Sequence, residues 1–131
     1  MKAPREFPTP LYIEAIARYM DLSRERRDEM ARLRDLLGPA AYAGLCHGRM
    51  DLGPRTGKTY AAANAADAED VCAVVATRDL AFRTHRLNGS RAASDLCAPF
   101  DDDIIYVFDS ARLPPGYFDH HCPLIAFHLG E

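Results

Sequence analysis

The sequence predicts an α/β fold: a small three-layer domain with a parallel sheet of about four strands and a helical pair at its N-terminal side. Three observations lead there. The segment 11–37 carries apolar residues at helical spacing. Beyond it, compact apolar runs alternate with helical stretches, the pattern of parallel βαβ units with helices on both sheet faces. And 131 residues, 48% hydrophobic and 27% charged, suit one domain with a core of useful size.

Taken in order, residues 1–10 hold three prolines and read as an extended arm, leaving 11–131 as a single domain: a helical pair at 11–37 and an α/β core at 38–131. "LYIEAIARYM" (11–20) has apolar residues at 12, 13, 16, 19 and 20, which predicts the first helix. Ser23 is placed to cap a second, over 22–37, with Met30, Leu33, Leu36 and Leu37 on one face and Gly38 as its stop. Its charged positions pair at helical spacing and read as a solvated surface. A small-residue stretch, "PAAYAGLCHGRMDL", leads into "GPRTGKT" (53–59). "KTYAAANAA" (58–66) is alanine-rich and predicted helical. "DVCAVVAT" (70–77) is a buried-type strand, 78–87 a helix, and "SRAASDL" another short helix. "DIIYVFD" (103–109) is the clearest strand; prolines make 111–121 a loop; "CPLIAFHL" (122–129) is the last strand.

Composition narrows the function classes. Residues 1–37 carry 8 basic and 7 acidic side chains, 38–66 carry 3 and 1, and 67–131 carry 5 and 11. That is no footprint of a general nucleic-acid binder, though it makes the glycine-lysine stretch the locally basic part of the chain. Single-strand binding would need aromatics among basic residues, and Phe82 with Arg78, Arg83 and Arg86 is the only such cluster. No apolar run reaches the length of a membrane span, and "MKAPREFPTP" lacks a signal-peptide core, so a cytoplasmic location is expected. Four dispersed cysteines (Cys46, Cys72, Cys97, Cys122), with no CxxC pair, are expected as reduced thiols.

"LGPRTGKT" (52–59) carries the chemistry. A phosphate-binding loop reads G-x-x-x-x-G-K-[ST], and its first position here is Leu52. The remaining parts are in order. Gly57 permits the turn, Lys58 supplies the charge, Thr59 a metal-binding hydroxyl, and the helix from Lys58 a dipole. Fifty residues on, "IIYVF" ends in Asp109, the form of a strand whose aspartate reaches a magnesium shell.

Through these segments the chain resembles the P-loop NTPases, and more narrowly the ATPase core of phage terminase large subunits and superfamily 1 and 2 helicases. "LGPRTGKT" resembles the divergent Walker A loop of terminases, "VVATRDLAFR" (74–83) the helicase motif P-T-R-E-L-A, and "IIYVFDS" (104–110) Walker B. The resemblance implies that Gly53, Arg55, Thr56, Gly57, Lys58 and Thr59 line the nucleotide phosphates, with Lys58 on the β- and γ-phosphates. Thr59 and Asp109 would serve magnesium, and Thr77-Arg78 would lie near nucleic acid. The implied ligand is ATP with Mg2+, and a phage or mobile-element origin fits the same resemblance.

Three departures limit the expected chemistry. Ser110 stands where these families usually carry the glutamate that orients the attacking water. Glu131 is the only acidic residue after Asp119, and nothing places it in the site. "CHGRMDL" is mixed where the strand before the loop is normally apolar, and the chain has no room for a second motor lobe. Hydrolysis is therefore expected to be weak or to need a protein partner that completes the site. The alternative is a non-enzymatic interaction module on a degenerate P-loop fold, binding through helices 11–20 and 22–37. "DHHC" (119–122) matches a palmitoyltransferase signature without the membrane domain or cysteine-rich surround that chemistry requires. Cys46 and His47 could meet His120, His121 or Cys122 around zinc, but no pair has finger spacing, so zinc is disfavoured. His85 and His128 have no partner legible in the sequence, and no serine sits in a nucleophile elbow.

Overall fold

The computed structural model describes residues 8–75, 92–93, 100–109, 116–119 and 122–130. Helix α1 spans Pro8–Glu25. Pro8 and Pro10 sit in its first turn, where a missing N–H costs no helical bond, so Pro8–Pro10 are helical rather than part of an extended arm. Tyr12, Ile16, Met20 and Ser23 are buried at spacings of four and three, one stripe along α1. Ser23 thus lies inside α1 and bonds the Tyr19 hydroxyl instead of capping a second helix. The break comes at Arg26, and α2 runs Arg27–Leu37 with no buried residue.

Gly38, at φ 84°, turns the chain into α3, Pro39–Cys46, with proline at its first position. This helix corrects the reading of 39–46 as an unassigned small-residue stretch. Strand β1 (Gly48–Met50), helix α4 (Lys58–Ala65), and strands β2 (Val71–Val75), β3 (Ala92–Ala93), β4 (Ile105–Asp109) and β5 (Ile125–Leu129) follow. Ala92–Ala93, expected in a short helix, instead pair with β2. The helix expected over 78–87 and the motif at Thr77-Arg78 fall outside the described residues.

The fold is α/β with a small all-parallel sheet in the order β1-β5-β4-β2-β3. β4 is fully flanked: Ile105–Asp109 pair with Val71–Val75 on one side and Ile125–Leu129 on the other. β1 pairs through Gly48–Met50 with Phe127–Leu129 of β5 and has no other described neighbour. Its edge position accounts for its mixed composition, since only a fully flanked strand must be apolar on both faces.

Alternation along the strands divides the sheet into two faces. Val71, Ala73, Ile105, Val107, Ile125, Phe127 and Leu129 join Tyr12, Ile16, Met20, Ala61 and Ala62 in one core, so α1 and α4 cover that face. Burying each large member of this stripe contributes about 1.5–3 kcal/mol. On the other face Val74, Phe108 and Ala126 pack with Phe100, Tyr106 and Phe118. At the N-terminal end of the sheet, two bidentate ion pairs tie helices to strands. Arg24 holds Asp70 at 2.7 and 2.8 Å, and Arg34 holds Asp102 at 2.8 Å through both nitrogens. Each guanidinium keeps its aspartate below the usual carboxylate range.

Candidate functional site

Because every strand runs the same way, the carboxyl ends of β1, β4 and β5 share one sheet edge, where ligands bind in open α/β sheets. Asp51 follows β1 directly, Asp109 ends β4, and the Gly130 amide donates to the Met50 carbonyl to close the edge beside them. The loop 51–57 joins β1 to α4 at this edge.

The loop is built on left-handed backbone. Gly53 (φ 101°), Arg55 (φ 58°) and Gly57 (φ 89°) all have positive φ. Such a succession turns peptide N–H groups toward a common concavity, the physical basis of anion nests. At Gly57 a side chain is excluded twice. Its backbone is left-handed, and an added Cβ would collide with the Thr9 hydroxyl. Gly57 is also the N-cap of α4 with no side chain capping it, so the helix start adjoining the loop carries amides that no cap side chain engages.

Lys58 opens α4, and its ammonium lies 3.0 Å from Asp51 Oδ1. The same carboxylate oxygen accepts from the Gly53 amide at 2.9 Å. These two donors, the Gly53 amide first, hold the Asp51 carboxyl below its ordinary range. One residue on, the Thr59 hydroxyl donates to Asp109 Oδ2 at 2.6 Å. This bond joins the two segments singled out in the sequence, fifty residues apart, at a single point. Asp109 is only 2% exposed, and burial raises its pKa against the lowering influence of Thr59 and Lys58.

Of the residues named from sequence, Gly53, Arg55, Thr56, Gly57, Lys58 and Thr59 lie on this one loop and helix start, and Asp109 lies across from Thr59. Thr56 differs from the rest in where its side chain goes. Its hydroxyl donates inward to the Gly53 carbonyl at 2.8 Å and meets the Tyr12 hydroxyl at 2.6 Å. It frames the loop from behind. Ser110, Glu131, and the cluster of Arg78, Phe82, Arg83 and Arg86 fall outside the described residues.

Sequence reasoning missed Asp51, Thr9 and Tyr12. Thr9 donates to the Thr56 carbonyl at 3.2 Å, and Tyr12 accepts from the Leu52 amide at 2.7 Å. Asp51 had a signal, an acid seven residues before the loop lysine. Tyr12 had none beyond its place on an apolar helical stripe.

The histidine and cysteine readings resolve differently. His47 is buried and bonds His128 and the Pro123 carbonyl, while His120 and His121 fall outside the described residues. Among the described residues no three His, Cys, Asp or Glu side chains gather around a common point. Cys46 and Cys122 are free thiols. No described helix is long and apolar enough to cross a membrane.

Comparison of the chain with protein-family models, curated proteins and solved structures finds no match.

Proposed function

We propose that the chain binds a nucleoside triphosphate, ATP with Mg2+, on the loop 53–59, with hydrolysis that is weak or depends on a partner. One observation carries the reading: the 2.6 Å bond from Thr59 to Asp109, beneath a positive-φ loop at the start of a helix. A phosphate-binding site needs N–H donors, a cation and a helix N-terminus converging on one concavity. Gly53–Gly57, Lys58 and α4 supply them. A Mg2+ ion takes hard oxygen donors, and the Thr59 hydroxyl and Asp109 carboxylate are an adjacent pair of that kind. When bound with the nucleotide it would neutralise phosphate charge. Lys58 would orient the outer phosphates, and Asp109 would hold the ion's water shell.

The weak-hydrolysis part rests on the acids near the loop. Asp51 is engaged by Lys58 and the Gly53 amide, and Asp109 by Thr59. With Asp51 paired to Lys58 and Asp109 assigned to the ion, neither carboxylate is the one proposed to orient an attacking water, and Ser110 offers no carboxylate. A partner that inserts a carboxylate or an arginine would complete the chemistry.

A second reading, a non-enzymatic interaction module, draws on one observation. α2 buries no residue, and Leu36 and Leu45 are 81% and 75% exposed on α2 and α3. Titration calorimetry of ATP, with and without Mg2+, into the wild type and Lys58→Ala separates the two. Magnesium-dependent binding that Lys58→Ala removes supports the nucleotide reading. Absence of binding at millimolar ATP turns the assignment to the interaction module.

A further inference from the structure

We infer that Tyr12, on the first helix and forty residues before the loop, is a positioning residue that holds the phosphate loop in its binding shape through a directional hydrogen-bond relay. The inference rests on the nucleotide reading above. Its directionality follows from chemistry alone. The Leu52 amide can only donate, and it donates to the Tyr12 oxygen at 2.7 Å. The Gly53 carbonyl can only accept, and it accepts from the Thr56 hydroxyl at 2.8 Å. Each hydroxyl has one proton, so the 2.6 Å contact between them must be Tyr12 donating to Thr56. The order is Leu52 N–H to Tyr12 O–H to Thr56 O–H to Gly53 C=O, with one proton in every link.

This relay spans the loop from both sides. Leu52 and Gly53 form its entry, Thr56 its exit, and the Tyr12 ring beneath is fully buried. Thr9, one turn earlier on α1, adds a bond to the Thr56 carbonyl and fills the space against Gly57. Leu52 occupies the position where a phosphate loop carries its first glycine. Leu52 is not among the residues of the loop with positive φ, so no glycine is needed there, and Tyr12 satisfies its amide. Holding the loop in advance removes the ordering cost that a flexible loop would impose on binding.

The test uses Tyr12→Phe, which keeps the buried ring, and Thr56→Val, which keeps the side-chain shape, with Thr56→Ser as the variant that restores the hydroxyl. Three quantities are read on the full chain: thermal midpoint, affinity for ATP with Mg2+, and exchange of the Leu52 amide by NMR without nucleotide. Tyr12→Phe and Thr56→Val are each expected to weaken ATP roughly tenfold, and the double variant no further, because one relay is broken either way. Thr56→Ser is expected to bind as the wild type does. Leu52 exchange is expected to accelerate in Tyr12→Phe while the thermal midpoint moves little. Wild-type affinity in Tyr12→Phe overturns the inference, and so does unchanged Leu52 exchange. Failure of the wild type itself to bind ATP is the separate failure of the nucleotide reading. In that case Leu52 exchange alone decides whether the relay holds the loop.

Discussion

At the scale of single residues, Asp51 and Lys58 set a competition. A carboxylate on the ammonium that should meet an outer phosphate must give way when an anion arrives. Asp51→Asn keeps an oxygen for the Gly53 amide but removes the charge. Affinity for ATP or pyrophosphate should therefore rise severalfold in calorimetric titration. Equal or weaker binding would mean that Asp51 helps orient Lys58 instead of masking it. Thr59→Val makes the complementary prediction: binding that survives but loses its dependence on Mg2+, since the hydroxyl beside Asp109 is gone. That Gly57, Lys58 and Thr59 would meet Asp109 was legible in the sequence, because a glycine-lysine-threonine helix start and an apolar strand ending in aspartate stand in the order that places both at one sheet edge. Tyr12 and Thr9 were not, because their use of a hydroxyl is set by which helix packs behind the loop.

Among elements, α4 is the piece whose packing decides how firmly the site is held. Ala61, Ala62 and Ala63 are all 0% exposed, so this short helix lies close between α1 and the sheet because its side chains are small. Ala62→Leu should overpack that contact and cost about 1–3 kcal/mol, measured by denaturant unfolding. An unchanged midpoint would mean the contact has slack. The alanine run read as helix from propensity alone, and the strands at β2, β4 and β5 read from their apolar runs. Two of them begin later than their apolar runs: Asp102 and Asp103 form a turn before Ile105, and Pro123, which has no N–H to give a ladder, precedes Ile125. Ser23 misled for a specific reason. A serine within charged residues looks like a cap, yet here it continues the buried stripe of α1 and is satisfied by Tyr19.

For the molecule as a whole, parallel strands were legible from their separation by helices, but the order β1-β5-β4-β2-β3 was not, since pairing partners leave no local trace. One product of that order is the meeting of His47, just before β1, with His128 on the neighbouring β5. His47 Nε2 faces the Pro123 carbonyl at 2.9 Å and so carries the proton. His47 Nδ1 therefore accepts from His128 Nε2–H at 3.0 Å. His128 also stacks on Phe108 at 4.8 Å, within an aromatic layer. Burial is the largest influence on both rings, lowering His47 from 6.5 to about 4 and His128 to about 3, with Arg49 adding to each and His47 opposing charge on His128. The sign follows from proton binding. Between pH 6.5 and about 4 the unfolded chain binds protons that the folded chain refuses. Stability is thus full above pH 6.5 and falls by about 1.4 kcal/mol per pH unit for each histidine as pH drops, levelling once the folded rings titrate. Depressed Asp70 and Asp102 add losses only near and below the ordinary aspartate range, while Asp109, raised by burial, takes up its proton earlier in the folded chain and opposes the loss, so across the interval from pH 6.5 to 5 the decline is compared with that of Asp109→Asn. Urea unfolding across that interval should show the decline, and His128→Phe should reduce its slope by about half whatever the variant's absolute stability. A flat profile in the wild type would show that the rings are not held neutral by their burial.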